Sequence, residues 1–411
     1  MSKPRVLMII TLDTKAEEAR FVRQTLEANG VDVIHLDASI RSQVDDKAEI
    51  QPAEVAAAAG KTLQEVRDLK HEGKCQAVMI EGAVKCAQAL HARTPISGVI
   101  GVGGSMGTAL GTVVMQSFPY GMPKVMVSTM ASGFTRPFVG AKDIVMFNPV
   151  CDIAGLNSIT RDVFRNAAIA TASMARGYSP VREESRPLVA MGTLSTIDRC
   201  TVRVRKALEQ HGYEVMVFHT LGTGGMALDQ LVKERDVAAV VDTSVVEHND
   251  FLNDGLCSAG PDRSKAALEK GIPVVFAPGN ADFMVAGPIE MARQQFPGKR
   301  YHMHNHALTA VRTEADELRK LARHLGGLIR EARGPVSFFV PLKGFSNHDS
   351  PEGHLHDPSL CPVFAQAIRA ELPAGVEVRE FDCHINDEAF ADAIVEQVLK
   401  VTHDKVAKVA A

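Results

Sequence analysis

The densest cluster of chemically capable residues is Ser97-Gly98-Val99-Ile100-Gly101-Val102-Gly103-Gly104-Ser105-Met106-Gly107-Thr108, an apolar strand-like run that passes through glycines into a helical stretch reaching Gln116. Glycines let consecutive backbone N–H groups converge on an anion, a helix N-terminus adds partial positive charge, and Ser105 and Thr108 carry hydroxyl donors. Gly103, Gly104, Ser105, Gly107 and Thr108 are therefore candidate ligands of a nucleotide phosphate. The segment has neither the Gly-Lys-Ser/Thr of a P-loop nor the spacing Gly-x-Gly-x-x-Gly, and a tight turn with close helix-to-strand packing would use the same glycines. Thr220-Leu221-Gly222-Thr223-Gly224-Gly225-Met226 repeats the design in shorter form, and a plain turn explains it equally well.

Other segments add polar groups at the ends of apolar runs, where ligands of open α/β sheets sit. In Thr11-Leu12-Asp13-Thr14-Lys15, Lys15 is placed to neutralise phosphate and Asp13 to hold Mg2+, with Thr11 and Thr14 beside them; Asp13 or Thr14 would equally cap the next helix. Ser132-Gly133-Phe134-Thr135-Arg136-Pro137 offers Ser132, Gly133, Thr135 and the bidentate fork of Arg136, which could instead bridge to Asp143 or Asp152. Asp262 of Gly260-Pro261-Asp262-Arg263 reads as a helix cap. Lys343 closes the run Val336 to Leu342, with Asp349 shortly after; Lys343, Asp349 and Asp13 are the candidate catalytic residues, Lys343 as a holder of an anionic metabolite or as a base. In Tyr301-His302-Met303-His304-Asn305-His306 the alternation projects the histidines to one face if the segment is extended. With the imidazoles and carboxylates of the loop from Lys343 to Asp357, His302 and His304 suit a transition metal such as zinc, manganese or iron, or a polar strand face.

Elements of two kinds must position these groups. Arg5 to Ile10, Val31 to Leu36, Ala77 to Ile80, Gly98 to Val102 and Lys124 to Ser128 read as strands, separated by helices such as Lys15 to Asn29 and Ala53 to His71. That alternation predicts right-handed βαβ units around a buried parallel sheet. After a long helix from Ser158 to Arg176, the charged, proline-bounded stretch Arg182 to Pro187 reads as a linker before a fresh strand at Leu188. The second half restarts like the first: Thr11-Leu12-Asp13-Thr14 aligns with Thr193-Leu194-Ser195-Thr196 at a shift of 182 positions, which duplication or convergent packing would both produce. The expected fold is α/β: two Rossmann-like, doubly wound parallel-sheet lobes, 1–180 and 188–411, with an interlobe cleft for ligands.

Composition narrows the partners. The 411 residues carry 45 basic and 49 acidic side chains, a net charge of −4, so no field or basic run exists to hold a polyanion, and neither nucleic acid nor anionic membrane is expected. The opening apolar stretch turns polar at Thr11, too early for a signal or a spanning helix, and seven scattered cysteines without Cys-x-x-Cys spacing fit reduced thiols, which points to the cytoplasm.

On Thr11-Leu12-Asp13-Thr14-Lys15, Gly103 to Thr108, Ser132 to Pro137, Asp152-Ile153-Ala154-Gly155-Leu156-Asn157, Gly222-Thr223-Gly224-Gly225, Gly260 to Arg263 and Pro341-Leu342-Lys343-Gly344, the chain resembles an ATP-binding domain family. That family is named for the amino-terminal domain of a plant tobamovirus-resistance protein, and its bacterial members stand alone. The likeness spans nearly the whole sequence. It implies two Rossmann-like subdomains, ATP held by the first, and a homodimer. The functional expectation is an ATP-dependent enzyme acting with Mg2+ on a small anionic metabolite in the cleft. A nucleotide-binding regulatory module without turnover, or a metal-dependent hydrolase or isomerase at His302 and His304, are the alternatives.

Overall fold

A computed structural model describes residues 3–41, 48–180 and 186–409. Contacts divide the chain into two compact units, Met1–Arg182 and Glu183–Ala411. Positions 182–185 of the expected linker lie outside the described residues.

In the first unit β1 (Arg5–Ile9), β2 (Asp32–Leu36), β3 (Gly98–Gly103), β4 (Lys124–Ser128) and β5 (Val145–Phe147) form a sheet in the order β2-β1-β3-β4-β5, every pair parallel. Alternation along β1 decides the layers. Val6 and Met8 pack with Val22, Leu26, Phe164 and Ala168 from the helices Leu12–Ala28 and Ser158–Gly177. Leu7 and Ile9 turn the other way, toward Met79, Val114 and Met115 of the helices Glu72–Arg93 and Ser105–Gln116. Because both faces are covered, the strands read as unbroken apolar runs.

The second unit builds β6 (Leu188–Thr193), β7 (Glu214–His219), β8 (Ala239–Ser244), β9 (Val274–Gly279), β10 (Phe283–Ala286), β11 (Tyr301–Met303), β12 (Thr309–Arg312), β13 (Val336–Pro341) and β14 (Glu377–Phe381). Its main sheet runs β14-β13-β9-β8-β6-β7, again wholly parallel, between two apolar layers. Beside it stands a three-stranded antiparallel sheet, β10-β12-β11, which the sequence pattern did not announce. Two parallel-sheet α/β lobes are thus present as expected. Among the described residues no helix is long and apolar enough to cross a membrane.

Two local expectations fail. Ala77 to Ile80, read as a strand, lies inside the helix Glu72–Arg93, whose buried residues Cys75, Met79, Ala83, Ala87 and Leu90 keep helical spacing. A short apolar run carries no period of its own, and the longer pattern wins. The single helix expected from Ala53 to His71 is two, Pro52–Ala58 and Leu63–Asp68. Gly60 takes a φ of +77° between them, and Thr62 with Glu65 closes a capping box that starts the second.

Candidate functional site

The first unit has a cavity of about 440 Å³ at the carboxyl ends of β1 and β3, lined by Thr11, Asp13, Thr14 and Lys15 on one side and Gly104, Ser105, Met106 and Gly107 on another. The position follows from topology. From β1 the chain crosses to β2 through a helix on one face, and from β3 it crosses to β4 through a helix on the other, so the crevice opens where the connections diverge. Ala38, Ile40, Met79 and Leu110 give the cavity an apolar wall. Its volume lies in the range that small-molecule sites use.

Glycine by glycine, the loop after β3 divides into two jobs. A Cβ at Gly101 or Gly111 would meet Met126 Sδ at 2.7 and 2.9 Å, and one at Gly103 would meet Gly107 Cα at 2.6 Å. These three serve close packing of the helix Ser105–Gln116 on the sheet. At Gly104 a Cβ would meet only Thr129 Oγ1, at 3.9 Å, and its φ of −74° suits any residue, so neither packing nor backbone demands glycine there. Gly104 is also the N-cap of that helix, and no side chain caps it. Thr108, expected to donate to a ligand, is fully buried and bonded to Gly104 O at 2.8 Å and Ser128 Oγ at 2.6 Å, behind the loop with Gly103.

The Thr11–Lys15 segment is likewise part bound, part open. Asp13 Oδ2 accepts from the backbone N–H of Ile40 and Arg41 (3.2 and 3.0 Å), and Ser39 Oγ accepts from Asp13 N, which ties the end of β1 to the chain beyond β2. Lys15 donates to Ile153 O at 2.9 Å, and the buried Glu18 accepts from Gly155 N, so this helix also holds the Asp152–Asn157 loop. Thr11 and Thr14 pair their hydroxyls at 3.3 Å. Ser132, Gly133, Thr135 and Arg136 follow β4 at the same edge of the sheet without lining the cavity. Arg136 begins a four-residue helix. Sequence reasoning missed Lys70, an exposed residue at the cavity with a φ of +48° and no side-chain hydrogen bond or ion pair among the described residues. A left-handed lysine is strained, and such strain gathers at functional positions.

In the second unit the glycine loop between β7 and the helix Thr223–Glu234 is filled from within. Glu247 Oε1 accepts from Gly222 N at 2.6 Å and Gly225 N at 3.0 Å, standing where an anion's oxygen would stand. Its Oε2 accepts from Arg263 Nε at 2.6 Å, and Arg263 forks onto Asp242 with two bonds of 2.9 and 2.8 Å. All three side chains are sealed from solvent. Burial raises the Glu247 pKa against the pull of Arg263. Burial also lifts Asp229, which accepts from Ser264 N, to about 6. Asp262, expected to cap a helix, instead pairs with Lys265 at 2.9 Å while Ser264 holds the N-cap position.

Of the other candidates in this unit, Lys343 is 57% exposed beside Asp382 at 3.0 Å. Asp349 is 1% exposed, 3.2 Å from Arg312, and accepts from Phe345 N and Asp357 N, a set of bonds that fixes a loop and leaves it out of reach of solvent. His302 and His304 do come together, and His348 joins them, their ligand atoms all within 4.8 Å of one another. His354 stacks on His302 with ring centroids 5.0 Å apart. Burial first, then the imidazoles of His302, His304 and His354, push His348 down to about 4; burial and its neighbours lower His302 as well.

Residues 4–180 match the N-terminal domain of an uncharacterised protein family, UPF0261, and residues 186–402 match its C-terminal domain. A UPF0261 protein of Clostridium tetani is 33% identical over 401 residues, 97% of this chain and 98% of that one. The ToMV resistance protein Tm-1 of Solanum lycopersicum is 29% identical over 425 residues, 98% of this chain and 56% of that protein. Among solved structures, a UDP-N-acetylglucosamine 2-epimerase aligns over 67% of this chain and 79% of its own at 11% identity, with a TM-score of 0.24, too loose an overlap to bear on function.

Proposed function

The chain belongs to the UPF0261 family, and we propose that its first unit binds ATP, with Mg2+, in the cavity at the carboxyl ends of β1 and β3. The observation that carries the reading is Gly104, a glycine that neither packing nor φ requires, at the uncapped start of the helix Ser105–Gln116 and on the cavity wall. Backbone there can approach a phosphate as no side-chain-bearing residue could, and the first-turn N–H groups point their partial charge at it. Lys15 and Lys70 supply full positive charge, Thr11, Thr14 and Ser105 supply hydroxyls, Asp13 supplies a carboxylate for the cation, and the wall of Ile40, Met79 and Leu110 suits a base. In the second unit, the exposed ammonium of Lys343, 3.0 Å from Asp382, is the residue that would hold a small anionic metabolite.

Calorimetry with ATP and Mg2+ tests the reading. Gly104→Val fills the cradle without a clash and is expected to weaken binding at least tenfold, about 1.4 kcal/mol. Lys70→Gly removes a cation while relieving a left-handed backbone, and is expected to weaken ATP with no loss of thermal stability. ATP affinity unchanged in folded Gly104→Val protein would overturn the assignment.

A further inference from the structure

We propose that His302, His304 and His348 form a binding site for a divalent transition-metal ion of the zinc class, with an open coordination position for water or an anionic ligand. The site lies in the second unit and is independent of the nucleotide reading. His302 is on β11 and His304 is two residues on, so the period of an extended chain sends both rings the same way. His348 arrives from the short 3-10 turn Asn347–Asp349, far along the chain, and all three offer a ligand atom within 4.8 Å of the others. His302 and His348 pack ring on ring with centroids 4.3 Å apart, a contact that leaves their nitrogens unused. Among the described residues, the ring nitrogens of these three histidines have no hydrogen-bonding or ionic partner.

The scaffold around them is firm. Phe283 of β10 meets the His348 ring edge-on at 5.5 Å, Ser346 Oγ accepts from His348 N at 3.1 Å, and His354 stacks on His302. The residue after His348, Asp349, is locked to Arg312 at 3.2 Å. His302 and His348 are half-buried while His304 is exposed, which leaves an entry path. Zinc binds imidazole nitrogen at about 2.0–2.1 Å, so the three ligand atoms, already within 4.8 Å of one another, draw closer together on holding it. Imidazole ligands without carboxylate or thiolate select zinc, cobalt, nickel or copper over magnesium or calcium. Three protein ligands with a free position is the arrangement in which zinc activates bound water. Among the described residues no carboxylate bonds the second ring nitrogens, and such partners usually add about 10- to 100-fold, so the affinity expected is below that of a closed structural site.

The experiment is Zn2+ calorimetry on tag-free, chelator-stripped, full-length chain, with Co2+ absorption as a second readout. One Zn2+ per chain is expected at this site. Because His304 is exposed, His304→Ala carries no folding risk, and it, His302→Ala and His348→Ala should each weaken Zn2+ at least tenfold and change the Co2+ spectrum. His306→Ala, an exposed neighbour outside the cluster, should leave both as they are. Wild-type protein that takes no Zn2+, His304→Ala and His348→Ala that bind it as tightly as wild type, or an equal loss in His306→Ala would each sink the assignment.

Discussion

Arg263 has no solvent to fall back on: its side chain and that of Glu247 are 0% exposed, and that of Asp242 is 1% exposed. A buried ion pair contributes little net stability, but removing one member leaves uncompensated charge and costs about 3–5 kcal/mol. Arg263→Met is therefore expected to lower stability by that amount at neutral pH, read from urea unfolding. The pH dependence has a definite sign. Burial already holds the Glu247 pKa above its ordinary value, and losing Arg263 raises it further, so the folded variant binds more protons than the unfolded chain and loses stability as pH rises. The deficit should shrink on acidification; one that ignores pH would place the damage in packing instead. At this scale the sequence was legible only in part. Asp242 stands out as a lone charge in Ala239-Val240-Val241-Asp242, but nothing near Glu247 or Arg263 announces a partner, because the three meet only after β8 and its neighbours fold. Lys70 is silent for another reason, since lysine has no preference for the left-handed backbone it adopts.

The turn from β3 into the helix Ser105–Gln116 shows what a glycine-rich run does and does not say. Its sequence allowed phosphate binding or close packing; the fold needs Gly101, Gly103 and Gly111 for packing and makes no such demand at Gly104. Gly103→Ala should destabilise by about 1–3 kcal/mol, because its Cβ would press on the Gly107 backbone, which cannot give way. Gly104→Ala, one residue on, should leave the unfolding midpoint nearly unchanged. Thermal melts of the pair check this, and equal losses would mean that Gly104 also packs. Strands with both faces buried were readable because long apolar runs bounded by turns have few alternatives. Ala77 to Ile80 was misread because four residues fit either period, and the antiparallel sheet went unseen because β11, with three residues, is too short to carry a pattern.

Across the whole chain the two main sheets share a plan. The first strand of each stands inside the second, as β2-β1-β3-β4 and β7-β6-β8-β9, which is what the 182-residue offset between Thr11 and Thr193 would produce by duplication. Both units then place a glycine loop at the head of a helix, yet only the first leaves it open. In the second, Glu247 supplies the anion from within the chain. A group held in place by its own backbone competes at an effective molarity that dissolved ligands cannot approach, on the order of 10⁵–10⁸ M for well-oriented intramolecular reactions. A nucleotide at millimolar concentration would have to expel that carboxylate and leave it buried beside nothing but Asp242 and Arg263. The second glycine loop is in this sense closed by its own chain, its N–H groups already spent on Glu247. On the proposal that the first unit holds ATP, titration should give one ATP per chain, and Glu247→Gln, which removes the charge, should loosen the second loop without creating a second nucleotide site of comparable strength.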